Sequence, residues 1–224
     1  MIIRDISFDD PLTNLQQDDQ MLCAAESGQA GEVLRFWESP SVFVVMGRSG
    51  EMDQDVDVNT AQADGVPVLR RSSGGGTVVQ GPGCLNFALV LSRNLRPELS
   101  LINRSYRYIL DQILAALQSL QIPAEFRPVC DLVLAGTERK FSGNAQRRGR
   151  VFLLHHGTIL YNFDLSLVTR YLKMPARMPE YRKSRSHADF VVNIPVSRLE
   201  IIEAVSGTFS RVSGGQQAGV QQDF

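Results

Sequence analysis

The chain is poor in the residues that staple small secreted proteins together. Its three cysteines, Cys23, Cys84 and Cys130, are odd in number and unevenly spaced, which excludes a disulfide framework and points to reduced thiols. Histidine is equally scarce at three residues, with no Cys-x-x-Cys pair beside them, so a structural zinc site lacks ligands at workable spacing. No apolar run approaches the roughly 18 residues needed to cross a bilayer. The opening MIIRDISFDDP carries acids and lacks the apolar core of a secretory leader. Neither sign of charge prevails: 23 Lys+Arg against 24 Asp+Glu leave a net charge of −1, which excludes a basic nucleic-acid coat and a polyacidic tail. These absences predict a soluble, cytoplasmic protein whose partners are neither nucleic acid nor membrane.

What is present suits one globular unit. At 224 residues and 43% hydrophobic, the chain can bury about 70–75% of its unfolded surface without a metal or disulfide. Met1–Phe8 reads as an edge strand, Leu12–Glu26 as a helix, and Leu34–Trp37 and Ser41–Met46 as strands joined by a turn at Ser39-Pro40. The acidic stretch from Glu51 to Asp64 reads as loop plus short helix. Strands are predicted at Pro67–Arg71, Thr77–Val79, Leu85–Leu91 and Val151–Tyr161. Leu132–Leu134 and Lys140–Gln146 are expected to pair across Ala135-Gly136-Thr137. The clearest helix is Leu101–Leu120, whose Ile102, Tyr106, Ile109, Leu110, Ile113, Leu114 and Leu117 recur at steps of three and four, with Ser100 as its N-cap. Leu165–Leu172 and Ser197–Thr208 complete the helices. Strands that cluster between helices, without strict alternation, predict an α+β fold with a mixed, mostly antiparallel sheet. The expected boundaries are a domain over 1–212 and a flexible Gly/Gln-rich tail over 213–224.

Four segments could carry chemistry. Arg70-Arg71-Ser72-Ser73-Gly74-Gly75-Gly76-Thr77 joins two cations to three glycines, a backbone that can approach a ligand closely and aim N–H groups at an anion. No Gly-Lys-Ser/Thr follows it, so it is not a phosphate-binding P-loop, and it does not fit the dinucleotide pattern. Lys140-Phe141-Ser142-Gly143-Asn144-Ala145 places a lysine among small neighbours; by itself this also describes a surface lysine. In His155-His156-Gly157-Thr158 the two histidines point to opposite faces of a strand and cannot share one metal. The cysteines read as buried and inert, Cys23 above all, and a nucleophilic one would need a neighbouring base or cation.

Taken in order, Asn14-Leu15, Trp37, Gly47-Arg48, the Arg-Arg-Ser-Ser-Gly-Gly-Gly loop, Asp131-Leu132-Val133, Lys140-Phe141-Ser142-Gly143-Asn144-Ala145 and His155-His156-Gly157-Thr158 resemble the lipoate–protein ligase A family. That family lies within the wider group of biotin ligases and lipoyl or octanoyl transferases, and the match covers roughly residues 10–195. The resemblance implies a biotin/lipoate ligase-like catalytic domain and an ATP- and Mg²⁺-dependent ligase. Lipoate or octanoate would be activated as acyl-AMP and passed to a lysine of a lipoyl carrier domain, a glycine-cleavage H-like protein or a dehydrogenase E2 domain. By position, Lys140 matches the essential lysine. Arg71, Ser73, Gly74, Gly75 and Gly76 match the acyl-adenylate loop, Trp37 and His156 match pocket positions, and Asp131 matches an acid that holds Mg²⁺ through the phosphates. Val79, Leu85 and Phe87 are candidate walls for the acyl chain.

Gln80 stands where relatives often have histidine, and Cys130 where they often have asparagine. No counterpart of the accessory domain of larger ligases is evident within these residues. The reading is therefore of a separate accessory chain, unaided adenylation, or none. Two alternatives stand beside the ligase: an acyltransferase working through a thioester on Cys84 or Cys130, and a partner-dependent, non-catalytic acyl-binding subunit. The Gly-Arg-Gly-Arg loop of biotin ligases is absent. The basic run Tyr181–His187 reads either as a solvated loop or as a segment that closes over phosphates or docks an acidic carrier.

Overall fold

Strand alternation and one amphipathic helix build the core. The computed structural model describes residues 1–214. A seven-stranded sheet has the order β1 (Ile2–Asp5), β2 (Val33–Trp37), β6 (Cys84–Ser92), β10 (Phe152–Leu160), β9 (Arg139–Arg148), β8 (Asp131–Leu134) and β7 (Ala124–Arg127). Only β1 and β2 run parallel; the other neighbours are antiparallel. A smaller sheet orders β4 (Val68–Arg70), β3 (Phe43–Met46) and β5 (Val78–Gln80). This is the expected α+β architecture.

Because successive strand residues face opposite ways, Leu85, Phe87, Leu89 and Leu91 of β6 line one side of the large sheet, and Ala88 and Val90 the other. Helix α4 (Ile102–Ser119) covers the first side with its Ile109-Leu110-Ile113-Leu117 stripe. Helix α7 (Arg198–Gly214) joins it there through Ile201, Val205 and Phe209. Helix α1 (Pro11–Glu26), capped by the Asp10 carboxylate on the Thr13 N–H, covers the other side with Met21, Leu22 and Ala25. The acidic stretch resolves into α2 (Met52–Asp55) and α3 (Val58–Ala63). With α5 (Ser166–Tyr171) and α6 (His187–Phe190), α3 packs on Val44, Met46 and Val79 of the small sheet. The opposite face of that sheet, with Phe43, Val45 and Val78, meets Trp37 and Leu15. Across the seam between the two sheets, the loop that follows β4 meets β10 through Ser73 and His156.

Several expectations need correction. Ser100 does not cap α4: it ends a short 3₁₀ turn, and its carbonyl accepts from Arg148, while Leu101 fills the cap position without a side-chain bond. The strands on either side of Ser39-Pro40 belong to different sheets. Strand β7 and helix α6 carry too little periodicity to be read in advance. Cys23 is exposed, the reverse of the expected burial, because it falls on the solvent side of α1. Ser213 and Gly214 prolong α7, and residues 215–224 of the expected tail lie outside the described residues.

Within the basic run Lys183 stays exposed beside Glu138, whereas the two arginines on either side of it turn inward. Arg182 is 4% exposed; it donates from Nε to the Arg185 carbonyl and lies 4.6 Å over the Phe190 ring. Arg185 donates to the carbonyls of Glu138 and Tyr181 and lies over the same ring. These two guanidiniums clamp Phe190 and spend their donors inside the chain.

Candidate active site

The glycine loop between β4 and β5 is organised by Arg71. Its Nη2 donates to the carbonyls of Gly74 and Gly76, both at 2.8 Å, its Nη1 to Val45, and its Nε to Ser73 Oγ. One side chain thus draws the loop around itself. Gly75 sits at φ +93°, a conformation that favours glycine, and a Cβ there would lie 2.9 Å from Arg71 Nη2 and press on the guanidinium. Gly47 is equally constrained: a Cβ on it would come within 2.0 Å of the Gly75 carbonyl oxygen. Arg70 holds the facing turn through the carbonyls of Gly47, Arg48 and Gly50. Burial without a carboxylate partner among the described residues pulls the Arg71 guanidinium down to about 10. The loop therefore presents a desolvated cation lacking a counter-anion.

Ser73, which is buried, links the loop to the large sheet. Its Oγ accepts from Arg71 Nε and shares a hydrogen bond with His156 Nε2, 2.6 Å away. Burial and the Arg71 charge hold His156 neutral, with its pKa lowered to about 3. His155 points to the opposite side, as strand geometry requires, and is likewise neutral by burial.

Lys140 and Asp131 meet across the β8–β9 pair, with Nζ 2.7 Å from Oδ1. Plain alternation would put Lys140 and Gly143, three apart, on opposite faces. The register shift between Leu132 and Val133 leaves Phe141 as an extra residue, so Lys140 opposes Val133 while Gly143 opposes Asp131. Such a bulge re-aims a side chain. Here it lays the lysine across Gly143, whose missing Cβ would sit 2.8 Å from Nζ. The other Asp131 oxygen accepts from the Tyr181 hydroxyl at 2.6 Å. Tyr181 was legible only as part of the basic run; nothing in its local sequence announces this contact.

The remaining candidates separate. Trp37 is buried, donates its indole N–H to Asp18, and packs with Phe43, Val45 and Val78. Val79 belongs to the small sheet's outer core, whereas Leu85 and Phe87 belong to the core under α4, so they do not form one wall. Cys84 lies in the small-sheet core, and burial pushes its thiol far above the usual range. Cys130 lies beside Asp131, where burial and that carboxylate raise it to about 11; its Sγ donates to the Asn144 carbonyl. Gln80 is buried, with Oε1 unpaired among the described residues.

A model of the lipoyl protein ligase A/B catalytic domain matches residues 10–205. The chain belongs to that family. Among its lipoyl-ligase relatives is a putative lipoate-protein ligase A of Schizosaccharomyces pombe, 31% identical over 177 residues, covering 79% of this chain and 46% of the relative. Octanoyltransferase LipM of Symbiobacterium thermophilum is 28% identical over 232 residues, covering 90% and 82%. The chain spans about half the length of the curated lipoate-protein ligases it matches. The same fold is found in a structural analysis of a bi-partite lipoate protein ligase and its E2 lipoyl domain from Thermoplasma acidophilum, at TM-score 0.79 and 22% identity, covering 95% of this chain and 83% of that one.

The neutral histidines make a prediction for this lipoyl-ligase domain. His155 and His156 stay unprotonated when folded but take up protons when unfolded below about pH 6.5, so each withdraws stability as pH falls. Asp18, buried against Arg35 and raised to about 6, acts with the opposite sign between that value and 3.8. Two imidazoles against one carboxyl leave a loss of about 1.4 kcal/mol per pH unit between roughly pH 6 and 4, to which His187, also lowered by burial, adds with the same sign. Urea unfolding at stepped pH should show this slope; a flat profile would mean that the imidazoles are charged when folded.

Proposed function

We propose that this protein is an ATP-dependent lipoate–protein ligase. In this reading, the carboxylate of lipoate or octanoate attacks the α-phosphorus of ATP. An O–P bond forms as the bond to pyrophosphate breaks, giving acyl-AMP. The amine of a lysine on a lipoyl carrier domain then attacks the acyl carbonyl, displacing AMP and losing a proton to form the amide. The carrier is an E2-type or H-like lipoyl domain, and an accessory chain of the kind implied by a bi-partite ligase is compatible with it.

The observation that carries this reading is the Lys140–Asp131 pair near the Arg71 loop: Cys130 feels the charges of Asp131, Lys140 and Arg71 together, and a Cβ on Gly75 would lie 3.7 Å from that of Ala145 on β9. Lys140 keeps 24% of its side chain exposed, enough to reach a ligand while Asp131 orients it. An ammonium there would bridge the acyl carbonyl oxygen and the α-phosphate, both of which gain charge in the transition states. Arg71, lacking a carboxylate partner, gains a counter-charge from the same ligand. His156 and Ser73 fix the loop beneath it, and Gly74–Gly76 allow close approach of the acyl-adenylate.

Mg²⁺ fits the donor set only through the ligand's phosphates. No cluster of three His, Cys, Asp or Glu occurs among the described residues, and Asp131 is the one carboxylate at the pair, which matches a cation that uses one or two carboxylates plus phosphates. Bound in that way, it would neutralise the departing pyrophosphate.

A thioester on Cys130 is the second reading, favoured by that residue's place beside Asp131 and by the likeness to an octanoyltransferase. Against it stands a thiol held protonated and donating to a carbonyl, since attack needs the thiolate. The intact mass of an apo-lipoyl domain incubated with protein, lipoate and Mg²⁺ separates the readings. A gain that requires ATP and persists within about tenfold in Cys130→Ala is expected, as loss of a thiol nucleophile would cost far more. Transfer from an octanoyl-carrier protein that vanishes in Cys130→Ala would establish the transferase. Silence in both assays would leave an acyl-binding subunit.

A further inference from the structure

Behind the Lys140–Asp131 pair, on the α4 side of the sheet, runs a chain of buried polar groups that the catalytic reading does not use. Asn144 lies at its centre. Its Nδ2 donates to the Cys130 carbonyl at 2.8 Å and to Ser142 Oγ at 3.1 Å. The amide oxygen therefore faces His155, whose Nε2 lies 3.1 Å away and must carry the proton. The Nδ1 of His155 then accepts from Gln146 Nε2 at 3.1 Å, and Gln146 Oε1 accepts from Arg148 and lies 2.9 Å from the Ser105 hydroxyl, whose one proton it shares with the Ile102 carbonyl. Every donor in this row faces an acceptor, so one tautomer and one set of amide orientations satisfies them all. The space is also built for it: a Cβ on Gly157 would fall 2.0 Å from Asn144 Oδ1. Phe87 and Tyr106 hold the His155 ring from two sides.

The position of this row matters. The β8–β9 ladder closes with Asp131 opposite Gly143. One residue further out, Cys130 and Asn144 are joined by side chains instead, the Cys130 Sγ donating to the Asn144 carbonyl and the Asn144 amide donating to the Cys130 carbonyl. The residues clamped here are the immediate neighbours of Asp131 and of the glycine across which Lys140 lies. We propose that Asn144, held by the fixed tautomer of His155, is the positioning element that sets the Lys140–Asp131 pair, with neither residue touching the substrate. Releasing Asn144 lets the open end of β8 move, and with it the carboxylate that aims the lysine. The functional consequence rests on the ligase reading; the positional one does not.

The chain contains three lysines, Lys140, Lys173 and Lys183, so ¹³C-lysine labelling of it gives one Cε methylene signal per lysine, three in all. Asp131→Asn supplies the reference position for Lys140 without its carboxylate. In His155→Phe and Asn144→Ala, the Lys140 signal is expected to move toward that reference. Lys173, bonded to the Asp53 carbonyl, and Lys183, paired with Glu138, should stay in place. His155→Gln, which keeps one donor and one acceptor, should return the Lys140 signal to its wild-type position. Carrier acylation should follow the same order, with a loss of about 100-fold in His155→Phe, the cost of misplacing a catalytic group by about 1 Å. An unmoved Lys140 in both disrupting variants, or a His155→Gln that behaves like His155→Phe, would overturn the proposal. Movement of all three lysines together in both variants would assign the row to core stability alone and overturn it too. Should wild-type protein show no ATP-dependent acylation, the ligase reading fails while the lysine signals still decide the positioning.

Discussion

Lys140→Ala is expected to lower acylation of a lipoyl carrier by about a thousandfold while leaving the protein folded. Removing a preorganised donor aimed at developing charge typically costs two to three orders of magnitude, and Lys140 is proposed to serve two such charges with one ammonium. Stability should change modestly. The pair is partly solvated, with side-chain exposures of 24% and 11%, and Asp131 keeps its bond from Tyr181. A pair of this partial exposure, with Asp131 itself buried, lies between the surface case of about 1 kcal/mol or less and the costlier buried case, so a loss of about 1–2 kcal/mol is expected. Intact-mass kinetics beside a thermal melt test both halves, and turnover within tenfold of wild type in the variant would remove Lys140 from the site. Lys140→Arg should rescue poorly, because a planar fork cannot replace a compact ammonium lying across Gly143.

Substituting Arg71 by methionine should be nearly as damaging to activity, for a different reason. The guanidinium gathers the carbonyls of Val45, Gly74 and Gly76 and the Ser73 hydroxyl in one plane, and without it the loop has no internal scaffold. We expect acylation to fall by about two to three orders of magnitude, combining a lost electrostatic contact with lost preorganisation. The melting temperature should move less than the activity does. The lost bonds are offset in part by release of a cation that burial disfavours, as its lowered pKa indicates. Arg71→Lys discriminates between charge and shape: a lysine supplies the charge but not donors in four directions. Recovery of more than a tenth of wild-type acylation in Arg71→Lys would show that charge alone matters.

How much of this was legible in the sequence depends on the range of the interaction. The α4 stripe and the alternation of β6 are local, since each follows from a repeat of three to four or of two residues read against one flat neighbour. The triple glycine likewise announced close backbone approach, and Gly75 at φ +93° makes use of it. By contrast, the bulge at Phe141 leaves no mark in a single strand, because it is a property of the pairing with β8. Without it, Lys140 would face away from Asp131. Helix capping at Ser100 failed because the serine backbone is held in a 3₁₀ turn by Arg148, a residue 48 positions away. The basic run Tyr181–His187 looked solvated because charge is a poor guide to burial when an aromatic ring, here Phe190, can receive two guanidiniums.

The sequence by itself determined the family through ordered motifs, the α+β class through strand and helix periods, and the absence of a disulfide framework through an odd, scattered cysteine count. Tertiary structure alone decided which of those residues meet. It joined the Arg71 loop of one sheet to His156 of the other. It turned Lys140 onto Asp131, buried Cys84, and wrapped Cys130 against Asn144. The physical reason is that periodicity encodes which face a side chain takes within its own element, whereas a catalytic constellation is set by register and by contacts between elements. Those depend on the whole chain having folded.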